Sequence, residues 1–221
     1  MTHSSDRLWP EPVLPATELL SEGVTLLRAF CREEAASLYK VIQAVEDIAP
    51  FRQMVVPSGH TMSVAMTNTG SLGWTTDRTG YRYRALDPLT GFPWPAMDSS
   101  LLSLARRAAL AGGFPDFTPN SCLINRYSVG ARLSLHQDKD EKDYDHPIVS
   151  VSLGLPATFL LGTLHRADTP RRIRIEHGDI LVWGGPARLI YHGVAPIAEG
   201  SHPLTGTYRI NLTFRRVLVA A

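Results

Sequence analysis

The sequence contains little cysteine and no long apolar run, and each shortage argues against a class of protein. Only Cys31 and Cys122 occur among 221 residues, and they do not form a C-x-x-C pair. We therefore expect no disulfide scaffold, and the cysteine content favours a reducing, cytoplasmic location. No segment approaches the roughly 20 apolar residues that a membrane-spanning helix needs, so we expect no membrane association. The first residues, MTHSSDRLWPEPVLP, have no apolar stretch after a basic start, so no secretory signal is expected.

An excess of charge of one sign is also missing, because the formal net charge is only +1. Residues 1–50 contain four basic and eight acidic side chains, which leaves 18 basic and 13 acidic side chains in residues 51–221 out of 22 and 21 in total. The resulting balance of +5 in residues 51–221 gives that part a mild bias toward an anionic partner. This bias is too weak to identify the partner.

Two segments have the periodicity of amphipathic helices. The first stops before Pro50, and its apolar stripe comprises Leu38, Val41, Ile42, Val45 and Ile48. The second, SSLLSLARRAALAGG, ends in two glycines. From Ser121 onward, short runs rich in β-branched and aromatic residues alternate with Gly, Pro and Asp clusters, which predicts a β-sandwich or barrel. Between the helices, TMSVAMTNTGSLGWTTDRTGYRYRALDP predicts one or more hairpins with polar, aromatic-bearing strands.

The stretch LSLHQDKDE contains a pattern that can bind a metal ion. Residues i and i+2 of a strand point to one side, so His136 and Asp138 are predicted to direct an imidazole and a carboxylate at one point. They would supply two of the three ligands of the facial triad of non-heme Fe(II) oxygenases. In RLIYHGV, His192 lies between apolar neighbours and is a candidate third ligand. Two blander interpretations stay open: a solvated strand end, and a core histidine bonded to the backbone.

A second H-x-D pair, His177 and Asp179, competes with the first. Gly178 lies between them and indicates a turn, where the alternation of a strand fails and the two side chains diverge. We therefore favour His136 and Asp138 as ligands.

The last predicted strand, YRINLTFRR, has one apolar and one polar face. Its polar face comprises Arg209, Asn211, Thr213 and Arg215. This face is either solvated or turned into a barrel, where guanidinium groups bind both oxygens of a carboxylate. Asn125 and Tyr127 share a face in INRYS and can add an amide and a phenol to the same pocket. A carboxylate pocket beside an iron with open positions suggests a 2-oxoacid cosubstrate.

Several motifs together identify a resemblance. CLINRYSVGARLSLHQDKDE, IVSVSLGLPATF, HGDILVWGG, YHGV and RINLTFR closely resemble the AlkB family of Fe(II)- and 2-oxoglutarate-dependent nucleic-acid dealkylating dioxygenases. FRQMVVPSGHTMSVAMTNTGSLGWTTDRTGYRY and PWPAM are similar to the bacterial AlkB type more narrowly. The likeness covers about residues 50–216, while the first 30 or so residues and the last few match poorly.

The resemblance implies an α+β, mainly β fold: a double-stranded β-helix, or jelly-roll, with supporting N-terminal helices and a nucleotide-recognition lid. It implies an extended N-terminal arm over residues 1–20 and one dioxygenase domain over 21–221. Within that domain the lid is expected at about 51–95 and the jelly-roll core at about 118–217.

The resemblance also assigns the site. It gives Fe(II) to His136, Asp138 and His192, and 2-oxoglutarate to Asn125, Tyr127, Arg209, Asn211 and Arg215. It places Arg215 on the far carboxylate of the cosubstrate and Arg209 nearer the metal. The substrate residues that it implies are Met66, Trp74, Tyr81, Asp140 and Arg166, with Trp74 stacking on the base and Tyr81 touching the nucleic-acid backbone.

The implied activity is oxidative demethylation of bases such as 1-methyladenine and 3-methylcytosine. Dioxygen and 2-oxoglutarate are the cosubstrates, and formaldehyde is released. The implied partner is alkylated single- or double-stranded DNA, with RNA as a further possibility, and the protein is expected to act as a monomer. Three alternatives stay open: an oxygenase of this scaffold acting on RNA, protein or a small molecule, a non-catalytic nucleic-acid-binding barrel, and a cupin-like isomerase with zinc or manganese.

Overall fold

A computed structural model describes residues 16–218 of the chain. The strands are β1 (Thr17–Ser21), β2 (Val24–Leu27), β3 (Arg52–Val55), β4 (Thr61–Gly70), β5 (Gly73–Asp77), β6 (Gly80–Arg84), β7 (Ser121–Tyr127), β8 (Leu133–His136), β9 (Ile148–Gly154), β10 (Ala157–Leu161), β11 (Arg171–Ile175), β12 (Ile180–Trp183), β13 (His192–Val194) and β14 (Arg209–Arg215). The α-helices are α1 (Ala35–Ile48) and α2 (Ser99–Ala111), and a short 3-10 turn spans Gly185–Ala187.

The strands form two main antiparallel sheets. The large sheet has the order β1-β2-β12-β9-β14-β7-β4-β3, and the small sheet has the order β11-β10-β13-β8. Buried residues of both sheets, among them Tyr127 and Trp183 of the large sheet and Phe159 and Val194 of the small one, belong to one apolar cluster. The two sheets therefore pack on each other as a jelly-roll, and the predicted mainly β fold class is confirmed.

The two helices cover the outer face of the large sheet. Leu38 of α1 and Leu104 of α2 belong to a second apolar cluster, together with Val151 and Leu212 of the sheet. The predicted stripe of α1 is correct at Leu38, Ile42 and Val45, which are buried, whereas Ile48 at the helix end is exposed.

The predicted hairpins between the helices are present. Strand β3 pairs with β4, and β5 pairs with β6. Strand β4 also pairs with β7, so β3 and β4 extend the large sheet, whereas β5 and β6 form a separate two-stranded sheet. We call β5 and β6 the lid hairpin.

The N-terminal arm predicted for residues 1–20 falls mostly outside the described part of the chain. Its last residues lie in β1, which pairs with β2 at the edge of the large sheet. The predicted boundary at residue 20 therefore falls inside a strand. Among residues 16–218, no helix is long and apolar enough to cross a membrane.

Candidate active site

Three side chains from the small sheet and its connections converge on one point. His136 ends β8 and His192 begins β13, and the two residues face each other in the strand register. With Asp138 they offer three ligand atoms within 4.8 Å of one another. Asp138 Oδ1 lies 3.6 Å from His136 Nε2, and Asp138 Oδ2 lies 3.8 Å from His192 Nε2.

The sequence-based explanation for this convergence was only partly right. Strand β8 ends at His136, so Asp138 lies in the segment after the strand and not two positions along it. The pairing of His136 with His192 across the sheet sets one side of the site, and the turn of the chain past β8 supplies the carboxylate.

Backbone contacts orient both imidazoles. The Nδ1 atom of His136 donates to the carbonyl oxygen of Ser134 at 2.8 Å, and that of His192 donates to the carbonyl oxygen of Ile190 at 3.2 Å. Because Nδ1 carries the proton, Nε2 of each ring keeps a lone pair toward Asp138. This is the arrangement in which histidine binds metals.

The charges of the cluster suit a divalent cation. Burial alone raises the pKa of the Asp138 carboxyl, but Arg215, His192 and His136 outweigh burial and hold this pKa well below its ordinary value. Burial, and after it the nearby His136, lower the pKa of His192 to about 4, although Asp138 acts in the opposite direction. At pH 7 the site therefore presents an anionic carboxylate and a neutral His192 imidazole, both ready to bind a metal ion.

The competing pair is occupied elsewhere. Asp179 Oδ1 accepts from the backbone N–H of Ala29 at 2.9 Å, and Oδ2 accepts from Arg28 Nη1 at 2.9 Å. His177 packs against His202, with ring centroids 4.3 Å apart. Gly178 between them has φ +87°, as the turn interpretation requires. Asp179 thus anchors the segment that follows β2, at Arg28 and Ala29.

A polar wall lies beside the three candidate ligands, on β7 and β14. Arg209 pairs with Tyr127 and Asn211 pairs with Asn125 in the register of these strands. All residues of β14 are buried, so its polar face is turned into the barrel and the solvated alternative is wrong. Arg209 lies over the Tyr127 ring, 4.9 Å from its centroid.

Buried polar atoms in this wall lack partners. Nε and Nη1 of Arg209 and Oδ1 of Asn125 make no hydrogen bond within the described residues. Burial lowers the pKa of Arg209, and no carboxylate contributes to offset this. Since buried charges without partners are costly, this wall fits a carboxylate ligand such as 2-oxoglutarate.

Asn211 is already engaged. Its Nδ2 donates to Ser150 Oγ at 2.8 Å, and its Oδ1 accepts from Asn125 Nδ2 at 3.2 Å and from Thr213 Oγ1 at 3.0 Å. Asn211 thus orients Asn125, whose free Oδ1 remains available.

The two arginines have the reverse of the predicted placement. Arg215 Nη2 and Nε donate to Asp138 Oδ2 at 2.6 and 3.0 Å, so Arg215 lies at the metal end. Arg209 contacts Tyr127 and Ser152 and lies at the other end of β14. The prediction that Arg209 lies nearer the metal ligands than Arg215 was wrong. Alternation places both arginines on one face but does not say which end of the strand meets the metal.

One cavity of about 810 Å³ connects these groups. Its lining includes every residue predicted for the site: Met66, Trp74, Tyr81, Asn125, Tyr127, His136, Asp138, Asp140, Arg166, His192, Arg209, Asn211 and Arg215. The volume is within the usual range for ligand sites. Residues as distant in sequence as Met66 and Arg215 therefore line the same cavity.

The lid hairpin forms the outer part of this cavity. The rings of Trp74 and Tyr81 stack with centroids 5.7 Å apart and planes inclined by 22°. Trp74 Nε1 donates to Asp140 Oδ2 at 3.0 Å, whereas Oδ1 of Asp140 has no partner in the part of the chain described. Met66 is buried beneath, and Arg166 lies over the Tyr191 ring.

Sequence reasoning missed a group of charged residues behind the metal site. Glu141 is buried and accepts from Tyr83 Oη at 2.6 Å and from Arg188 Nη2 at 3.2 Å. Arg188 also donates to the backbone carbonyl of Asp138 at 2.7 Å. Glu141 lies in the acidic run DKDEKDYD, where no sequence signal distinguishes it from exposed neighbours such as Lys142 and Tyr144.

Comparison with known proteins agrees with this geometry. The pattern of the 2OG-Fe(II) oxygenase superfamily matches residues 23–215. The chain is 57% identical over 202 residues to the alpha-ketoglutarate-dependent dioxygenase AlkB of Escherichia coli, covering 91% of this chain and 94% of the relative. It is 57% identical over 208 residues to the AlkB of Salmonella typhimurium, covering 94% and 93%.

A solved structure agrees as well. The structure of OsALKBH1 superposes with a TM-score of 0.80 and 28% identity, covering 91% of this chain and all of that one. The chain belongs to the AlkB family of the 2OG-Fe(II) oxygenase superfamily and is an Fe(II)- and 2-oxoglutarate-dependent dioxygenase.

Proposed function

We propose that the protein removes alkyl groups oxidatively from ring nitrogens of nucleic-acid bases, with 1-methyladenine and 3-methylcytosine in DNA, and also RNA, as substrates. One observation carries this proposal: a single cavity is lined by both the His136–Asp138–His192 cluster and the Trp74–Asp140 pair. An aromatic face beside a carboxylate suits a flat, cationic ring that carries an amino group.

In this proposal His136, Asp138 and His192 hold Fe(II). Arg209 and Tyr127 hold the carboxylate of 2-oxoglutarate that lies away from the metal, and Asn125 lines the same wall beside them. When bound, Fe(II) with 2-oxoglutarate and dioxygen supplies the oxidising chemistry that hydroxylates an N-linked methyl group, with succinate and carbon dioxide as coproducts. The hydroxylated methyl group then leaves the base nitrogen as formaldehyde.

The residues of this chain orient the base. Trp74 provides a stacking surface, and its Nε1–H holds Asp140 by Oδ2. The second oxygen of Asp140 is then free to accept from the exocyclic amino group and to offset the positive charge of the alkylated ring. Tyr81, half exposed beside Trp74, is placed to contact the backbone, and Met66 and Arg166 line the same space.

The target base must leave the helical stack to reach the metal site, which lies inside a cavity. Alkylation at the Watson–Crick edge weakens pairing and lowers the cost of flipping, so damaged bases are selected in duplexes, while in single strands no pairing has to be broken. We further propose that residues 21–221 act as one dioxygenase domain, with a lid within 51–95 and a core at 118–217. We propose that the protein acts as a monomer in the cytoplasm.

Mass spectrometry of methylated oligonucleotides tests the proposal. Protein, Fe(II), ascorbate and 2-oxoglutarate are incubated in air with a 1-methyladenine or 3-methylcytosine oligonucleotide. The oligonucleotide is expected to lose the mass of one CH2 group, with release of formaldehyde. Asp138→Ala serves as the matched inactive control.

Two other outcomes point to the alternatives. Succinate formation with small-molecule or protein substrates, and none with the oligonucleotides, would favour another oxygenase of this scaffold. Oligonucleotide binding with no succinate formed under any condition would favour a non-catalytic barrel.

A further inference from the structure

The lid hairpin reaches the candidate metal site by a second route, behind the cavity. Trp74 and Tyr83 face each other across the β5–β6 register. Trp74 donates to Asp140, and Tyr83 donates to the next residue, Glu141, with its Oη 2.6 Å from Glu141 Oε1. The first contact faces the substrate space, whereas the second is directed away from it, because neither Tyr83 nor Glu141 lines the cavity.

Glu141 connects Tyr83 to the metal carboxylate. The same oxygen that accepts from Tyr83 lies 3.4 Å from Arg215 Nε. Arg215 in turn donates through Nε and Nη2 to Asp138 Oδ2. A continuous series of polar contacts therefore runs from the lid hairpin to the oxygen atoms of Asp138.

Arg188 completes this network from the other side. It donates to the second oxygen of Glu141 and to the backbone carbonyl of Asp138. Two buried carboxylates, Asp138 and Glu141, thus balance two buried guanidinium groups, Arg188 and Arg215. Such a network holds its geometry only while each member keeps its partners, since a buried charge that loses one is strongly destabilised.

We propose that Tyr83 and Glu141 are positioning residues for the iron carboxylate, acting through Arg215. Tyr83 fixes the rotamer of Glu141, and Glu141 fixes the direction of the Arg215 guanidinium. Arg215 holds Asp138 Oδ2, so that Oδ1 stays turned toward His136 and Oδ2 stays near His192. The lid hairpin thereby contributes to the metal site itself and not only to the base pocket. The inference rests on the proposed role of Asp138 as a metal ligand.

Metal titration of four variants tests the inference without any nucleic acid. Co(II) is titrated into apoprotein in the presence of 2-oxoglutarate, and its visible absorption reports both affinity and coordination geometry. The variants are Tyr83→Phe, Glu141→Gln, the double variant, and Tyr39→Phe as the matched control. Tyr39 loses the same hydroxyl from α1, which packs on the helix side of the large sheet.

The expected pattern is specific to positioning. Groups that orient a metal ligand change metal affinity by about 10- to 100-fold when removed, and we expect Glu141→Gln to weaken Co(II) binding by about 10-fold. Loss of a single hydrogen bond one step further away predicts an effect of about 3-fold for Tyr83→Phe. The double variant should match Glu141→Gln alone, because both residues act along one series of contacts.

Several results would overturn the inference. If the Tyr83→Phe variant binds Co(II) like the Tyr39→Phe variant and only melts at a lower temperature, Tyr83 has a structural role alone. If the losses of Co(II) affinity add in the double variant, the two residues act independently. If Glu141→Gln does not fold, the comparison of Tyr83→Phe with Tyr39→Phe still decides. Wild-type protein that releases no formaldehyde from methylated oligonucleotides would refute the proposed reaction and leave this titration unaffected.

Discussion

At the scale of single residues, the hydrogen-bond partners of a side chain decide whether it can bind a ligand. Asp138 and Asp179 are both buried aspartates within an H-x-D sequence. Both oxygens of Asp179 accept hydrogen bonds from backbone and arginine donors, whereas Asp138 Oδ1 lies near His136. The motifs differ locally only in the middle residue, Gln137 or Gly178, and the role of each carboxylate is set by what surrounds it.

Asp138→Ala should abolish iron binding and turnover, since it removes the only anionic member of the candidate ligand set. The fold should survive, because Arg215 keeps Glu141 at 3.4 Å, although the melting temperature should fall. Metal content and circular dichroism check both points. Asp179→Asn should show the opposite pattern, with iron retained and stability reduced, and full activity of Asp138→Ala at normal iron content would contradict the ligand assignment.

Arg209→Ala should raise the 2-oxoglutarate requirement by orders of magnitude. Truncating one member of a buried charged hydrogen-bonded pair costs about 2–5 kcal/mol, and Arg209 has two buried nitrogens without a partner, whereas Arg215 has one and already binds Asp138. Calorimetric titration of the metal-loaded protein measures the change. Arg215→Ala should instead weaken metal and 2-oxoglutarate together. An Arg209→Ala protein with wild-type 2-oxoglutarate affinity would mean that another group binds the far carboxylate.

At the scale of elements, strand β14 explains why the two arginines have separate roles. Arg209 and Arg215 are six positions apart, and at about 3.3 Å per residue their Cα atoms lie about 20 Å apart. The sequence predicted that they share a face and that this face carries carboxylate chemistry. It could not predict which end meets Asp138, because that depends on how β14 lies between β9 and β7 relative to the small sheet.

Helix α2 has a side-chain cap at its N-terminus, Asp98. Asp98 accepts from the backbone N–H of Ser100 at 2.8 Å. Asp98→Ala should lower the free energy of unfolding by about 1 kcal/mol and the melting temperature by about 2–4 °C. Asp116→Ala, at an exposed aspartate beyond the helix, is the matched control, and calorimetry compares the two. Equal melting temperatures for both variants would show that the cap contributes nothing.

The lid hairpin and Asp140 together should set the choice of lesion. A cationic, amino-bearing base such as 1-methyladenine can use Asp140, whereas neutral 3-methylthymine cannot, so the former should be preferred. Asp140→Ala should shrink this preference, and Trp74→Ala should weaken binding of all lesions by about 1–3 kcal/mol, the value of base–aromatic stacking.

Single-turnover repair of both lesions by wild type and by each variant measures the effect. If Asp140→Ala slows both lesions equally while 2-oxoglutarate decarboxylation falls in parallel, Asp140 supports the metal site and does not read the base.

At the scale of the whole molecule, the cavity joins residues from both main sheets and the lid hairpin, so ligand binding should stabilise the entire fold. Ligand at 100 times its dissociation constant adds about 2.7 kcal/mol to the free energy of unfolding. Mn(II) with 2-oxoglutarate should therefore raise the melting temperature above that with Mn(II) alone. The increment should disappear in Arg209→Ala, and an unchanged melting temperature in wild type would argue against a preformed cosubstrate pocket.

The sequence could predict much of this molecule because its motifs report local geometry. The helices, the hairpins around Trp74 and the presence of a polar face on β14 follow from periodicity and alternation, whereas the burial of that face does not, since alternation fits a solvated face equally well. The network of Glu141, Tyr83 and Arg188 could not be predicted. Arg188 is 47 positions and Tyr83 is 58 positions from Glu141 in the sequence, and only the folded chain brings them together. Asp138 was assigned correctly to the cluster, yet by an argument that assumed a longer β8.

The location of Arg209 determines what the protein can recognise in its cosubstrate. In this assignment Arg209 holds the carboxylate that is identical in 2-oxoglutarate and succinate, because the reaction alters only the other end of the molecule. The guanidinium therefore cannot distinguish a fresh cosubstrate from a spent one. That discrimination falls to the metal end, where only 2-oxoglutarate offers a keto acid, and succinate remains a natural competitor for the same pocket.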